Sequence, residues 1–433
     1  MKLLVISTSY PPFWGSHTQR IVGLIDALEA YGFDICLLTS YIEDNHPSYD
    51  EKSIEFINEK IKIIRVPLGI LHRYSSNKNE EREYIATKGM LKERMKASLR
   101  SVLVPDSMVD WLPRVARIVK SSDLISRVRP DVILSCSMPN TCHIVGYGLS
   151  KKYGIPLILD YADPWAYEPG ANHNRLKYIL QKRLESRILD HSAGSTYSCE
   201  SARLLNQTKF NLDRSKTITI YTGFSAKKST SSDSHKISSN NQELVITYGG
   251  DLDPKVRDPI PLFISLQRVS SLSIQCIIRT NLTKFSNYYR DYPHSDCLVI
   301  ADTIPFDEYY KEMCRSDMLI IFGNNNNIQL PGKLFNCIAT GRRILYIRCS
   351  GHGCEAEEIL RDYGNADFVD NDPDQIEAML RSLLIEKRIG ELDRKRIGNI
   401  SRYSSNAQGQ KLAQFIKDIV DNKKSETKRI DSV

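Results

Sequence analysis

The sequence predicts an α/β protein with two doubly wound parallel sheets, each in its own domain. Three observations predict it. Apolar runs of strand length alternate with amphipathic helical periods in both halves of the chain. A polar stretch at 225–243, SAKKSTSSDSHKISSNNQE, separates the halves and has nothing to bury. The chain has 433 residues, too many for one compact core and suited to two.

The elements follow in order. LLVIS (3–7) reads as a strand, HTQRIVGLIDALEAYG (17–32) as an amphipathic helix stopped by glycine, and DICLLTS (34–40) as a second strand. The pattern returns as DVILSCS (131–137), a helix to about Lys152, and IPLILDYAD (155–163), and TITIYTGF closes a first domain at 1–224. Past the linker come LVITYGG (244–250), a helix near 259–269, SIQCIIRT (273–280), LVIADTI (298–304), a helix near 306–315, DMLIIFG (317–323), a short helix after Lys333, and RILYIRC (343–349). These make a second domain at 244–390. A C-terminal helix is expected over 391–420, packing back on the first domain, with a mobile charged tail at 421–433. Ligands of open parallel sheets sit beyond the carboxyl ends of the strands, so two such domains are expected to face each other across a cleft lined by those loops.

Hydrophobic residues at 41% and charged residues at 26% exclude disordered and fibrous classes. No apolar run is long enough to span a bilayer. MKLLVIST is read as a buried strand and not a signal peptide, because Tyr10, Pro11 and Pro12 follow it. The ten cysteines are scattered without C-x-x-C pairs, which fits reduced thiols in a cytoplasmic chain, and the triplets at Asn206, Asn281 and Asn399 are then chance glycosylation matches. Cys349, His352 and Cys354 lack a fourth ligand at zinc spacing, so no metal is expected there. A formal net charge of +7 favours anionic partners without indicating nucleic acid.

Four strand-end loops carry the chemistry. In SYPPFWGSHTQR, Gly15 and Ser16 precede a helix whose first amides suit an oxyanion, and His17 suits a proton relay; a tight turn is the structural alternative. In DYADPWAYEP, Asp163 between Tyr161 and Trp165 suits a sugar, whose hydroxyls need acceptors and whose C–H faces stack on rings; a turn cap before Pro164 is the rival for Asp163. In TYGGDLDPKVRDP, Gly249 and Gly250 open a loop in which Lys255 and Arg257 can neutralise phosphates, and the Asp251-x-Asp253 string is too short to argue for a metal. In NNNNIQLPGKLFNCIATG, Pro331, Gly332 and Lys333 open a helix without an ordinary side-chain cap, as a diphosphate cradle would. Thr303 and Ile304 end a strand where a nucleobase can lie against backbone. The segment 86–104 places Leu91, Met95, Leu99 and Val102 on one helical face amid lysines and arginines, which suits an anionic membrane surface or packing on its own domain.

The order of these segments resembles the retaining GT-B glycosyltransferases often called glycosyltransferase family 4. The resemblance rests on STSYPPFWGSHTQR, on GIPLILDYADPW, on the strand end YTGF, on KVRDP, and on Pro331-x-Lys333 followed by Ala339-x-Gly341; it spans nearly the whole chain. The resemblance implies two facing Rossmann-like domains and transfer of a sugar from a UDP- or GDP-linked donor to a glycan or lipid-linked acceptor. It also implies retention, no metal or other cofactor, no nucleic acid, and work in surface polysaccharide biosynthesis at the cytoplasmic face of a membrane. Asp163, Arg257, Lys333 and His17 take the catalytic places. The donor set is Gly15, Ser16, Gly249, Gly250, Arg257, Thr303 and Ile304, joined by Gln329, Pro331, Gly332, Lys333, Leu334 and Asn336. Tyr161, Asp163 and Trp165 take the acceptor. Three positions depart from the family pattern: Asn336 and Ile328 stand where the family usually has glutamates, and Thr222 where it has asparagine. A non-catalytic partner of another transferase and a nucleotide-sugar epimerase are the alternatives.

Overall fold

The computed structural model describes residues 1–46, 48–69, 103–169, 175–224, 242–282, 296–392 and 397–431. The linker at 225–241 and residues 86–102 of the expected membrane segment lie outside them. The chain divides into two compact units, Met1–Thr222 with Ser405–Val433, and Gly223–Ser404.

The first unit contains β1 (Lys2–Ile6), α1 (Ser16–Ala30), β2 (Asp34–Tyr41), β3 (Lys62–Pro67), α2 (Leu112–Ser121), α3 (Leu124–Val128) and β4 (Val132–Cys136). It continues with α4 (Thr141–Tyr153), β5 (Leu157–Tyr161), α5 (Arg175–His191), β6 (Gly194–Tyr197), α6 (Glu200–Phe210) and β7 (Thr217–Thr219). The sheet order is β3-β2-β1-β4-β5-β6-β7, with every pairing parallel. Strands β4 and β5 are buried at every residue, the continuous apolar pattern of a parallel sheet covered on both faces. The chain winds outward from β1 in both directions, so the order reverses between β1 and β4.

The second unit contains β8 (Leu244–Gly249), α7 (Ile260–Arg268), β9 (Ile274–Arg279), β10 (Leu298–Ala301), α8 (Phe306–Arg315) and β11 (Met318–Phe322). After these come α9 (Leu334–Ala339), β12 (Arg343–Arg348), α10 (Glu355–Tyr363), β13 (Ala366–Asp370) and α11 (Pro373–Arg388). Its order, β10-β9-β8-β11-β12-β13, is again all parallel, with the reversal between β8 and β11. Ile246, Cys276, Ile320, Leu345 and Val369 from five strands form its core with Leu262, Leu266, Ile376 and Leu380 of α7 and α11.

The C-terminal helix differs from the expectation. It begins at Ser405, not 391, and α12 (Ser405–Asp431) runs through most of the stretch read as a tail. It belongs to the first unit, where Leu412, Phe415, Ile416 and Val420 join Ile21, Leu24 and Leu28 of α1 in one core. Gly409 permits the approach: a Cβ there would stand 2.1 Å from Ala27 Cβ. The sequence reading also passed over β3, β6 and β13. Two of these, GSTY and ADFVD, are short and half polar, so neither shows a strand period of its own.

Candidate functional site

Because both sheets are parallel, all strand carboxyl ends of a unit lie along one edge. The candidate residues gather there, in a cluster in each unit.

In the second unit the cluster sits at the reversal between β8 and β11. Gly249 ends β8 against a buried Tyr309, and a Cβ on Gly249 would stand 2.2 Å from Tyr309 Cζ. Gly250 has φ +149 and donates its amide to Arg279 O at 2.8 Å, a conformation that excludes ordinary side chains. Arg257 then donates from Nε and Nη2 to Asn324 Oδ1, at 2.9 and 2.7 Å. Asn324 Nδ2 donates to Gln329 O at 3.0 Å, Asn325 Nδ2 to Lys255 O at 2.6 Å, and Asn326 Nδ2 to the Gln329 side chain at 3.2 Å. The asparagine run is therefore the seam that ties the loop after β8 to the loop after β11 and aims Arg257. Periodicity alone reads it only as loop.

Lys333 is an exposed residue whose ammonium packs against its own unit. Nζ lies 5.1 Å from the Tyr309 ring centre, and a Cβ on Gly250 would stand 3.4 Å from it. Burial of the ammonium lowers its pKa to about 8; Cys337 and Asp251 oppose that shift and Arg257 adds to it. The structure thus brings Lys333 and Arg257, 76 positions apart by 333 − 257, within electrostatic reach of each other. Among the described residues, no carboxylate forms an ion pair with either cation.

The turn before α9 differs in detail from the expectation. Pro331 is not the first helical residue; the helix starts at Leu334, with Lys333 at its cap position. Leu334 is removed from the donor set, because its side chain is buried in the core and its amide donates to Pro331 O at 3.0 Å. Gly332 is exposed, and a Cβ there meets no protein atom within 4 Å, so no crowding inside the chain demands glycine. Thr303 is exposed and Ile304 half-buried at the end of β10, the edge strand two places from β8. Gln329 and Asn336 are half-buried. A cavity of about 290 Å³ opens nearby beside Lys255, Asp258, Asn325 and Asn371, but its guanidinium, Arg348, is already paired by Glu357 and Asp370. Neither Lys333 nor Arg257 lines it.

Substitution of Gly249 tests how tightly this cluster is built. Gly249→Ala should destabilise the second unit by about 1–3 kcal/mol through overpacking against Tyr309, read as a lower urea midpoint. An unchanged midpoint would mean that Tyr309 moves freely and does not support the Lys333 ammonium.

In the first unit, Gly15 precedes α1 in an extended conformation (φ −178), which any residue adopts, and Ser16 begins the helix. One position on, His17 Nε2 lies 3.9 Å from Asp163 Oδ2. Burial pulls the His17 pKa below its ordinary value, while Asp163 pulls it up. Glu168, on the same turn as Asp163, is pushed up to about 7 by burial and by the Asp163 charge, against a lowering pull from Lys177. Two carboxyl groups, an imidazole and an ammonium thus share one strand-end region.

Two acceptor residues are corrected. Tyr161 and Trp165 are 1% and 0% exposed, so they present no ring face to a sugar. Tyr161 stacks on Tyr197 at 5.1 Å between centroids, with His143 at 4.8 Å. The reason is local: Tyr161 still lies in a strand covered on both faces, and Trp165, past the turn at Asp163 and Pro164, is buried with its ring centre 6.3 Å from that of His143. Asp160, crowded with Asp163 in the sequence, is fully buried and paired with Arg20.

The sequence reading missed Glu185. It is 0% exposed and accepts the Ala166 amide at 2.8 Å and Asn206 Nδ2 at 3.4 Å, which anchors the Asp163 turn to α5. A signal existed, since Glu185 falls at helical spacing with the buried Gln181, Ile188 and Leu189. Burial raises its carboxyl to about 7, so the folded protein holds this proton more tightly than the unfolded chain. Stability must then fall as pH rises from about 4.5 to about 7, by a cost on the order of 3 kcal/mol once the group is ionised. Glu185→Gln keeps an acceptor without the charge, so it should be more stable than the unmodified protein at pH 8 and not at pH 5. An identical stability difference at both pH values in urea unfolding would refute this.

No family model matches the chain, and no curated relative matches it. Solved structures do. Sucrose-phosphate synthase from Thermosynechococcus elongatus superposes with a TM-score of 0.61 at 11% identity, over 100% of this chain and 99% of that one. WaaG, a glycosyltransferase involved in lipopolysaccharide biosynthesis, gives 0.58 at 13% over 96% and 99%. UDP-GlcNAc 2-epimerase from Neisseria meningitidis bound to UDP-GlcNAc gives 0.54 at 12% over 96% and 100%. At such identities the likeness is one of fold: the chain is similar over its full length to GT-B structures. Among the described residues, no helix is long and apolar enough to cross a membrane.

Proposed function

We propose that this protein is a GT-B glycosyltransferase that moves a sugar from a nucleotide diphosphate sugar, UDP- or GDP-linked, to a glycan or lipid-linked acceptor. The single observation that carries the reading is the convergence of Lys333 and Arg257, two cations without a carboxylate partner among the described residues. An unpaired, desolvated ammonium beside a guanidinium is costly unless a ligand supplies the negative charge. A diphosphate supplies it, and the open space at Gly332 lets it approach the backbone. The fold is one shared with glycosyltransferases and with UDP-sugar enzymes, which supports the same class of ligand.

In this reading the leaving diphosphate meets Arg257 and Lys333 already in place, so charge that develops as the glycosidic bond breaks is stabilised without reorganisation. The two cations serve this role without a metal. Thr303 and Ile304 take the nucleobase, and Gly249, Gly250, Gln329, Pro331 and Asn336 complete the donor surface of the second unit. Asp163 and His17 orient the acceptor hydroxyl. Retention, membership of glycosyltransferase family 4, surface polysaccharide biosynthesis and a cytoplasmic location, peripheral to a membrane through residues 86–104, belong to the proposal on the strength of the sequence resemblance.

A thermal-stabilisation screen with UDP, GDP and their sugars tests the reading, because a ligand that binds only the folded state raises the melting temperature. At least one nucleotide should do so, and Lys333→Ala should abolish the shift. No shift with any nucleotide would favour a non-catalytic partner protein. The epimerase alternative is tested by product: free nucleotide diphosphate formed only when acceptor is present excludes it.

A further inference from the structure

We infer that the buried ion pair of Arg20 and Asp160 is a positioning device that sets the separation of His17 and Asp163. The inference rests on the acceptor role proposed above for that second pair. Arg20 follows His17 by one turn of α1, and Asp160 precedes Asp163 by three residues at the end of β5. Any rotation or slide of the helix over the strand therefore changes the distance between His17 and Asp163.

The bonds that oppose such movement are directional. Arg20 donates from Nε to Asp160 Oδ2 at 3.1 Å and from Nη2 to Oδ1 at 2.6 Å, a two-pronged fork that fixes both distance and azimuth. Its remaining nitrogen, Nη1, donates to Ile220 O at 2.6 Å, just past β7. Thr196 in β6 donates to Asp160 Oδ1 at 2.5 Å. One guanidinium and one carboxylate thus lock α1 to β5, β6 and the end of β7, at the same sheet edge as His17 and Asp163.

Stability alone does not account for the pair. Arg20 and Asp160 are 2% and 0% exposed, and the desolvation of two such charges offsets most of their attraction; aliphatic side chains of similar volume would hold the helix as firmly. What they would not hold is its register. Arg20 and Asp160 also face His17 with opposite effects on its charge, lowering and raising its pKa respectively, while Asp163 raises it. The two charges act on the imidazole in opposite senses, and the fork between them fixes the helix that carries it.

The test is a cycle of variants read on His17 itself. The imidazole resonance of His17, identified among the nine histidines by its loss in His17→Gln, is titrated by NMR in the full chain. Asp163→Asn should lower the His17 pKa in the otherwise unchanged protein. In an Arg20→Lys background, which keeps the charge and loses the fork, the same substitution should produce a smaller drop. Should Arg20→Lys fail to fold, Thr196→Val removes one bond to Asp160, keeps both charges, and serves in the same cycle. An equal drop in both backgrounds overturns the inference, as does an Asp163→Asn substitution that leaves the original titration unmoved. The readout needs no sugar, so its failure is separate from failure of the nucleotide screen.

Discussion

Lys333→Ala should reduce sugar transfer by roughly 10²–10³-fold, the usual cost of removing one preorganised donor from a developing anion, while the protein stays folded. The expectation follows from what surrounds the ammonium. It lies over Tyr309, close to Gly250, without an ion pair among the described residues, so the fold loses little when it is removed and the bound anion loses a full charge. The melting temperature should be unchanged or slightly raised, and the stabilisation by nucleotide should vanish. Arg257→Ala should have a kinetic effect of the same order, but it also leaves Asn324 without its guanidinium and so should loosen the loop after β11. A pH signature separates the two. Because the Lys333 pKa is lowered to about 8, its charge is present below that value and lost above it, so nucleotide affinity should weaken as pH rises through 8. Lys333→Arg should move that limb to higher pH. Turnover that is normal in both alanine variants would refute the site assignment.

Asp160→Ala should be the most damaging single change to the stability of the first unit, at about 3–5 kcal/mol, because it leaves the buried Arg20 charge with no partner. Arg20→Ala should cost a similar amount for the converse reason. Arg20→Met combined with Asp160→Leu should recover most of the loss, since neither charge is then stranded. Urea unfolding of the three variants provides the check. If either single variant costs under 1 kcal/mol, water reaches this pair and the account of it as a buried clamp fails.

The strand and helix alternation was legible because each apolar run carries its own period. The glycines and cations of the second unit were legible for a similar reason: Gly249 and Gly250 stand at the end of β8, and Arg257, Gly332 and Lys333 lie in the loops that follow β8 and β11, where a parallel sheet exposes its loops. Tyr161 and Trp165 show the limit. An aromatic residue at or just past the end of a strand has the same local pattern whether it faces a ligand or the core, and only the sheet's second covering layer decides between them. Glu185 shows the same limit from the other side, since a charged residue on a helix is ordinarily solvated, and here the Ala166 amide and Asn206 hold it in the interior.

The sequence by itself determined that this chain forms two parallel α/β units, and which loops carry its glycines, carboxylates and cations, because those properties are set by neighbours a few residues apart. Tertiary structure alone decided that α1 is the surface on which the C-terminal helix packs and that the asparagine run aims Arg257. It also decided that Arg20 meets Asp160 across 140 positions. Each of these depends on contacts between segments distant in the chain, where burial and hydrogen-bond geometry, not local propensity, determine the outcome.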